Sequence, residues 1–521
     1  MRREARRRPK GTMMQDISIL VEKARIAQRQ WAKLTYSKRA GYIKKVKRIL
    51  AEKRDEIIEM IQHENGKLAV DALAAELVPA IMAVPYYIKQ GRRLCKPHTL
   101  GGGNILLFFK TAVMTYEPWG VIGIISPWNY PFSIPFSEVI MALLAGNAVI
   151  LKTAALTPGS GRVIAKILEA VNLPEGLFAN VEIPGKEAGG AFISGGIDKL
   201  FFTGSTAVGK KLMALAAERL LPVTLELGGA DAAIICKDAD IDRAASGIIW
   251  GAFSNVGQSC GGVQRVLVHK DRYNEFIKII KEKVEALRPG NDVSCDLGRL
   301  VSISRKEEVR KQVNECLAKG AEIAAQSGAF TDSDGKAAGT LNDGSLYFPA
   351  IVLTGIKAGM PVFDEEVFGP VIGVLPFNDD ADAINLANAS PYALSGSVWT
   401  RNRKQAEKMA ALIHAGSVMI NDHLMSHGLA QTPWGGYGAS GIGKTHGESG
   451  FREMLKSKVI IGDILPGAKR QPWWQPYSQK LYNGLIALSD VLNAPPFKRI
   501  AALPALAGFF LLAWKKNGDK K

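Results

Sequence analysis

Cys260 and Glu226 point to covalent chemistry. Cys260 lies in Phe253-Ser-Asn-Val-Gly-Gln-Ser-Cys260-Gly-Gly, 34 residues after Glu226 in Val223-Thr-Leu-Glu226-Leu-Gly-Gly. A thiol flanked by small residues can present its sulfur to a bound carbonyl while neighbouring backbone N–H groups face the same point. A carboxylate before Leu-Gly-Gly stands where a strand gives way to flexible backbone, a setting that suits a general base. Taken alone, a cysteine reads as a small buried hydrophobe, and Asn129, before Tyr-Pro, as a turn residue. Their company decides otherwise.

That company is six segments in order: Ile124-Ile-Ser126-Pro127-Trp128-Asn129-Tyr-Pro, Phe202-Thr-Gly204-Ser205-Thr, Leu225-Glu226-Leu227-Gly-Gly, Gly257-Gln-Ser-Cys260, Glu365-Glu366-Val-Phe368-Gly-Pro and Pro433-Trp-Gly-Gly-Tyr-Gly-Ala-Ser-Gly-Ile-Gly. From about residue 20 to about residue 462 the chain resembles the aldehyde dehydrogenase superfamily in the order and spacing of these motifs. The resemblance implies an α/β fold with a Rossmann-like cofactor domain (15–99 and 119–228), an α/β catalytic domain (229–437) and a small oligomerisation arm (100–118 and 452–462). It also implies NAD or NADP as cofactor, no metal, an aldehyde substrate, and a homodimer or homotetramer.

In such an enzyme the Cys260 thiolate adds to the aldehyde, and the thiohemiacetal oxyanion drives hydride onto a nicotinamide. The Asn129 amide and the Cys260 N–H are the candidate oxyanion donors. Glu226 is the candidate base for hydrolysis of the resulting thioester, its pKa raised by a semi-buried position. By resemblance Glu366 holds the nicotinamide ribose, Phe368 packs beside the ring, and Trp128 and Lys152 line the cofactor and its adenosine ribose. Ser126, Pro127, Gly185, Gly204, Ser205, Val208 and Leu227 complete the cofactor set. No Gly-x-Gly-x-x-Gly occurs in a strand–helix setting, consistent with the family's variant Rossmann fold. Phe202-Thr-Gly204-Ser205-Thr-Ala-Val208-Gly instead offers a strand, a turn and a helix start for a phosphate.

Three departures bear on specificity. Ala155, in Lys152-Thr-Ala-Ala155, stands where NAD-preferring members carry a Glu that repels a 2′-phosphate, which implies dual use or a lean to NADP. Gly261-Gly262 and Ser137 replace bulkier residues of relatives and are expected to widen the pocket.

The elements that must position these residues alternate. Residues 15–90 read as helices, and residues 101–116 as a hairpin. Strands are expected at 121–126, 147–152, 199–203 and 222–227, with helices near 158–171, 206–219 and 240–252. After Cys260 the pattern resumes with strands 264–269, 349–354, 395–400 and 417–421 and helices 271–286, 380–389 and 402–413. Such alternation argues for parallel sheets covered on both faces. Lys456-Ser-Lys-Val-Ile-Ile reads as an edge strand that, in the family, pairs with a neighbouring subunit.

A chain of 521 residues exceeds the growth of one core, so two or more domains are expected. Five cysteines without metal-ligand spacing fit a reducing, cytoplasmic compartment. The net charge of +17 is concentrated at the ends: residues 1–10 hold six basic and one acidic side chain, residues 466–521 nine basic and two acidic. The body is ordinary, so no nucleic-acid partner is expected. Residues 1–14 read as a basic disordered tail, with Met13 or Met14 as alternative starts.

The last 56 residues differ in kind. Leu481, Leu485, Leu488 and Leu492, beside Tyr482 and Ile486, form a stripe at helical spacing. Ile500–Trp514 is uncharged and bounded by Arg499 and Lys515. Fifteen helical residues reach about 22 Å, short of a ~30 Å hydrocarbon core, and Pro504 would kink or cap them. The expectation is a peripheral anchor at the cytoplasmic face of a membrane, with packing on protein as the alternative. Membrane placement favours hydrophobic medium- or long-chain aldehydes. The competing readings are a CoA-acylating relative, against which Glu226 counts, and an inactive membrane-associated scaffold, against which Cys260, Asn129 and Glu226 together count.

Overall fold

In the computed structural model, residues 10–100, 110–331, 337–341, 344–464 and 474–511 are described. The chain forms two compact units, one of Met1–Lys96 and Tyr116–Lys456, the other of Pro97–Thr115 and Ser457–Lys521.

In the first unit, apolar runs buried on both faces make parallel strands, as expected where helices cover both sides of a sheet. They are β1 (Val121–Ile125), β2 (Ala148–Lys152), β3 (Phe178–Asn180), β4 (Lys199–Thr203) and β5 (Val223–Glu226). Their spatial order is β3-β2-β1-β4-β5, and Gly441–Ile442 adds antiparallel to the β5 edge. The order reverses between β1 and β4. In an open α/β sheet, the crevice beyond the carboxyl ends at such a reversal is where dinucleotides bind. Ser126-Pro127-Trp128 and Gly204-Ser205 follow those two strands.

A second sheet comprises β6 (Asp231–Ile235), β7 (Val263–His269), β8 (Glu322–Gln326), β9 (Ile351–Thr354), β10 (Val371–Phe377), β11 (Ser395–Trp399) and β12 (Ser417–Ile420). The order is β8-β9-β10-β7-β6-β11-β12, antiparallel only between β8 and β9. Along β6, Ala232 and Ile234 enter one core cluster while Ala233 and Ile235 enter another, the period-two alternation of a strand covered on both faces.

The expected strands and helices form within three residues of their anticipated ends. Strands β3, β6, β8 and β10 and the helices Ser133–Ala145, Gly185–Gly195 and Ile303–Ala318 are among the elements not anticipated. β6 is five residues directly after Gly-Gly-Ala. The helix Ile303–Ala318 is highly charged and buries few apolar side chains, among them Val309 and Val313, so its periodicity is faint. At the N-terminus the helix Lys10–Lys33 already covers residues 10–14, expected as tail; residues 1–9 lie outside the described residues.

In the second unit, His98–Leu100 pairs antiparallel with Lys110–Pro118; of the hairpin expected over 101–116, residues 101–109 lie outside the described residues. Leu455–Asp463 completes a three-stranded sheet beside Lys110–Pro118. The C-terminal segment is two helices, Gln479–Asn493 and Pro496–Leu511, packed on each other. Leu481, Gly484 and Ala487 face Ala502 and Phe509, and a Cβ at Gly484 would stand 2.6 Å from Phe509. The second helix starts before Ile500 and runs through Pro504, so this proline does not cap it. Residues 512–514, the end of the expected apolar run, lie outside the described residues.

Candidate active site

Cys260 occupies a turn between the helix Ile241–Phe253 and β7. The approach to it is strained: Asn255 and Val256 have φ of 52° and 54°. A β-branched residue there is a genuine outlier, and such strain persists only where the surroundings over-determine it. They do so here. Asn255 Nδ2 donates to Asn129 O at 2.9 Å and Gln258 O at 3.1 Å, and its backbone N–H donates to Asp71 at 3.2 Å. Gly257, at φ +67°, lies against Gly369 O, 2.2 Å from where a Cβ would stand, so only glycine fits.

Asn129 is buried beside this turn. Its Nδ2 donates one hydrogen to Gln258 O at 3.1 Å and keeps a second. Its backbone is fixed by a buried ion pair: Lys67 Nζ donates to Glu76 Oε1 at 2.6 Å and to Asn129 O at 2.9 Å, and stands 4.1 Å from the Tyr130 ring centroid. Glu76 Oε2 accepts from the Phe132 and Ser133 amides at 2.8 and 3.2 Å. Glu76 belongs to a π-helical turn, Leu73–Leu77, and such turns frequently mark functional sites.

Glu226 ends β5, held between β4 and the strand Gly441–Ile442. Its oxygens are buried with no well-aligned hydrogen bond, the Thr445 amide only favouring the charged form, and one lies against Gly435, 2.4 Å from where a Cβ would stand. Burial drives its pKa well above the usual carboxylate range; Lys444 opposes the rise and Glu138 adds to it. Cys260 and Glu226 line one cavity of about 270 Å³. Its walls include Ala74, Val78, Met82, Ile134, Leu424 and Trp434. Burial also pushes the Cys260 thiol up, as do Glu366, Asp231 and Glu226, while the neighbouring Gly261 amide works against the rise.

The cofactor candidates gather around the strand reversal. Ser126 N–H donates to Lys152 O at 3.0 Å, and Gly204 N–H to Glu226 O at 3.0 Å. The Trp128 and Phe368 rings meet edge-to-face at 5.4 Å, Phe368 holding φ +52°. Glu366 accepts from the Gly229 amide at 3.0 Å, and burial raises its pKa to about 7. Pro127 follows Ser126 directly, Ser205 is the N-cap of Thr206–Ala217, Val208 lies in that helix's first turn, and Leu227 packs over Gly209. The Lys152 side chain is buried, and its Nζ stands 3.5 Å from the Cβ position of Gly185, first residue of the helix Gly185–Gly195. A nicotinamide dinucleotide fits these residues: the Ser126 hydroxyl is buried without a partner, and an ammonium beside a helix N-terminus suits an anion.

Two expectations need correction. Gly261 does not widen the pocket: a Cβ there would stand 2.6 Å from Trp434, whose indole fills that space. Ser137 lines a small recess that shares Pro79, Gly428 and His446 with the Cys260 cavity, and does not line that cavity itself. Ile134, one helical turn before Ser137, and Glu138, directly after it, line the cavity instead. Glu138 was missed by the sequence reading, although it is the one charge in a wholly buried helix, Ser133–Ala145; burial raises its pKa to about 8. Lys67, Glu76 and Trp434 were missed as well, because they meet the site through contacts distant in sequence.

The model of the aldehyde dehydrogenase family matches residues 7–460. A putative succinate-semialdehyde dehydrogenase [NADP(+)] 2 of Mycobacterium ulcerans is 35% identical over 455 residues, 87% of this chain and 85% of that protein. A 4,4'-diapolycopene aldehyde oxidase of a Methylomonas species is 33% identical, covering 90% of this chain and 86% of the relative. Among solved structures, an NAD-dependent aldehyde dehydrogenase from Sinorhizobium meliloti superposes with a TM-score of 0.81 at 30% identity, covering 89% of each chain. A dinucleotide-type sheet, a thiol and a buried carboxylate on one cavity, and a family match across most of the sequence converge: this chain belongs to the aldehyde dehydrogenase family.

Proposed function

We propose that this enzyme oxidises apolar aldehydes to carboxylic acids with NAD or NADP, using Cys260 as nucleophile and Glu226 as general base. The observation that carries the reading is the shared apolar cavity, which Cys260 and the buried Glu226 both line. The Cys260 thiolate adds to the aldehyde carbon, and the free Asn129 amide hydrogen and the Cys260 N–H are the donors for the oxyanion. A nicotinamide dinucleotide, when bound, supplies the hydride acceptor. Glu226 then takes a proton from the water that attacks the thioester carbon, releasing the acid and restoring the thiolate. A carboxylate whose pKa is raised by burial is a better base for that step.

The apolar walls favour medium- or long-chain aldehydes. An aldehyde chain-length series with both cofactors tests this: kcat/KM is expected to rise with chain length and to vanish in Cys260→Ser. A preference for short, polar aldehydes rejects the substrate class, and activity in Cys260→Ser rejects the mechanism.

The second unit bears on location and assembly. Tyr482, Leu485, Ile486, Phe497, Ile500 and Leu503 are exposed on the helical pair, next to Lys480, Lys498 and Arg499. Outward apolar side chains with basic neighbours suit the interface of an anionic bilayer, and we read this pair as a peripheral anchor at the cytoplasmic face. Flotation with anionic vesicles, with and without residues 470–521, tests it: the full chain should float and the truncated chain should not, whereas equal behaviour rejects the anchor. The exposed Val459, Ile460 and Ile461 of the edge strand support a homodimer or homotetramer.

A further inference from the structure

The cavity that Cys260 and Glu226 line has acidic groups on its wall and no fixed cation. Asp71, Glu138 and Glu226 all line it, and among the described residues on its wall none is lysine or arginine. Two cations nearby are turned to other partners. Lys67 Nζ donates to Glu76 and to Asn129 O, and Lys444 Nζ donates to Gly435 O and stands 4.3 Å from the Tyr437 ring centroid. An imidazole is uncharged above about pH 8, so His446 on the same wall supplies no cation there.

The three carboxyls are not equivalent. Glu226 is the proposed base, and Asp71 accepts from the Asn255 amide at 3.2 Å and so supports the nucleophile turn. Glu138 does neither. It stands on the buried helix Ser133–Ala145, and no hydrogen bond or ion pair holds its carboxyl among the described residues. A carboxylate arriving on a substrate would leave water and find no cation in its place, which is costly for a buried anion. An ionised Glu138 would add like-charge repulsion. The arriving charge would also hold the proton on Glu226, as the charge of Glu138 does, and withhold the base that the thioester step needs. An aldehyde uncharged along its length meets none of these penalties. We infer that the cavity selects against aldehydes bearing a carboxylate, and that Glu138 is the specificity-determining residue for that selection. The inference rests on the proposed function, with Cys260 and Glu226 acting in this cavity.

The test is steady-state oxidation of the semialdehydes of succinate and adipate beside their methyl esters, which keep the chain without the charge, with hexanal and decanal as uncharged references. At about pH 9, above the value of about 8 that burial gives Glu138, kcat/KM for each ester should exceed that for its acid about a hundredfold or more. Glu138→Gln keeps the shape and removes the charge, and should narrow that gap at least about tenfold, chiefly through a lower KM for the acids. Glu138→Met should narrow it in the same direction, and carries the test if Glu138→Gln does not fold. Thermal melting and dinucleotide binding report structural damage, which would slow acid and ester together and leave their ratio unmoved. Acids used as well as esters by the unmodified enzyme overturn the inference. So does an ester-to-acid ratio that stays put in Glu138→Gln, or in Glu138→Met if Glu138→Gln does not fold. Failure to oxidise any of the uncharged aldehydes would overturn the proposed function, and this inference with it.

Discussion

Glu138 and Glu226 face the same apolar cavity, both buried, and a charge on Glu138 raises the pKa of Glu226. Two interacting carboxyls lose their protons in two macroscopic steps. Glu226 is a base only when deprotonated, so activity should rise with pH through those steps. Glu138→Gln removes one titrating site and one repelling charge. The acid limb of kcat against pH should become a single step and move to lower pH; a limb that stays where it was rejects the coupling.

Glu226→Gln should separate the two halves of the reaction. The thioester forms on Cys260 without the base but waits for water. A burst of reduced cofactor equal to one per active site should precede a steady state slower by roughly 10²–10⁴-fold. Rapid-mixing absorbance measures both phases. A slow first turnover without a burst would place Glu226 before the thioester.

The Lys67–Glu76 pair is fully buried, and Glu76 also accepts two backbone amides. Lys67→Met leaves that carboxylate without its cation and should cost about 3–5 kcal/mol in urea unfolding. Lys67→Met with Glu76→Gln keeps a neutral acceptor for the Phe132 and Ser133 amides and should recover much of the loss. Equal stability of the two variants would argue against a charge-pair origin.

Ala155 is exposed beyond β2, where it offers no carboxylate to repel a 2′-phosphate. The ratio of kcat/KM for NADP over NAD should be near or above one. Ala155→Glu should lower it at least tenfold, through like-charge repulsion at the adenosine ribose. A hundredfold preference for NAD in the unmodified enzyme would sink the idea.

Much of this was legible in the sequence. The apolar runs around 121–126, 147–152 and 199–203 declared buried parallel strands, because a strand covered on both faces has no polar side to break its pattern. The motifs around Cys260, Glu226 and Asn129 pointed to the family and to the proposed chemistry, because each residue sits in a local setting that a short window can display. β6 and the helix Ile303–Ala318 escaped notice for the converse reason: one is too short and the other too charged for periodicity to show.

Only the tertiary structure could decide what surrounds those groups. Gly261 read as empty space until Trp434 was found in it, and Ser137 read as a pocket wall while its neighbour Glu138 held that place. His423 lies 162 residues from the Gly261 carbonyl it meets. Lys67 lies 62 residues from the Asn129 carbonyl it holds. Local sequence determines which side chains are present and which elements carry them. Cavity shape, the raised pKa of Glu226 and the clamps on the nucleophile turn depend on burial and on contacts between distant segments, and those exist only once the chain has packed.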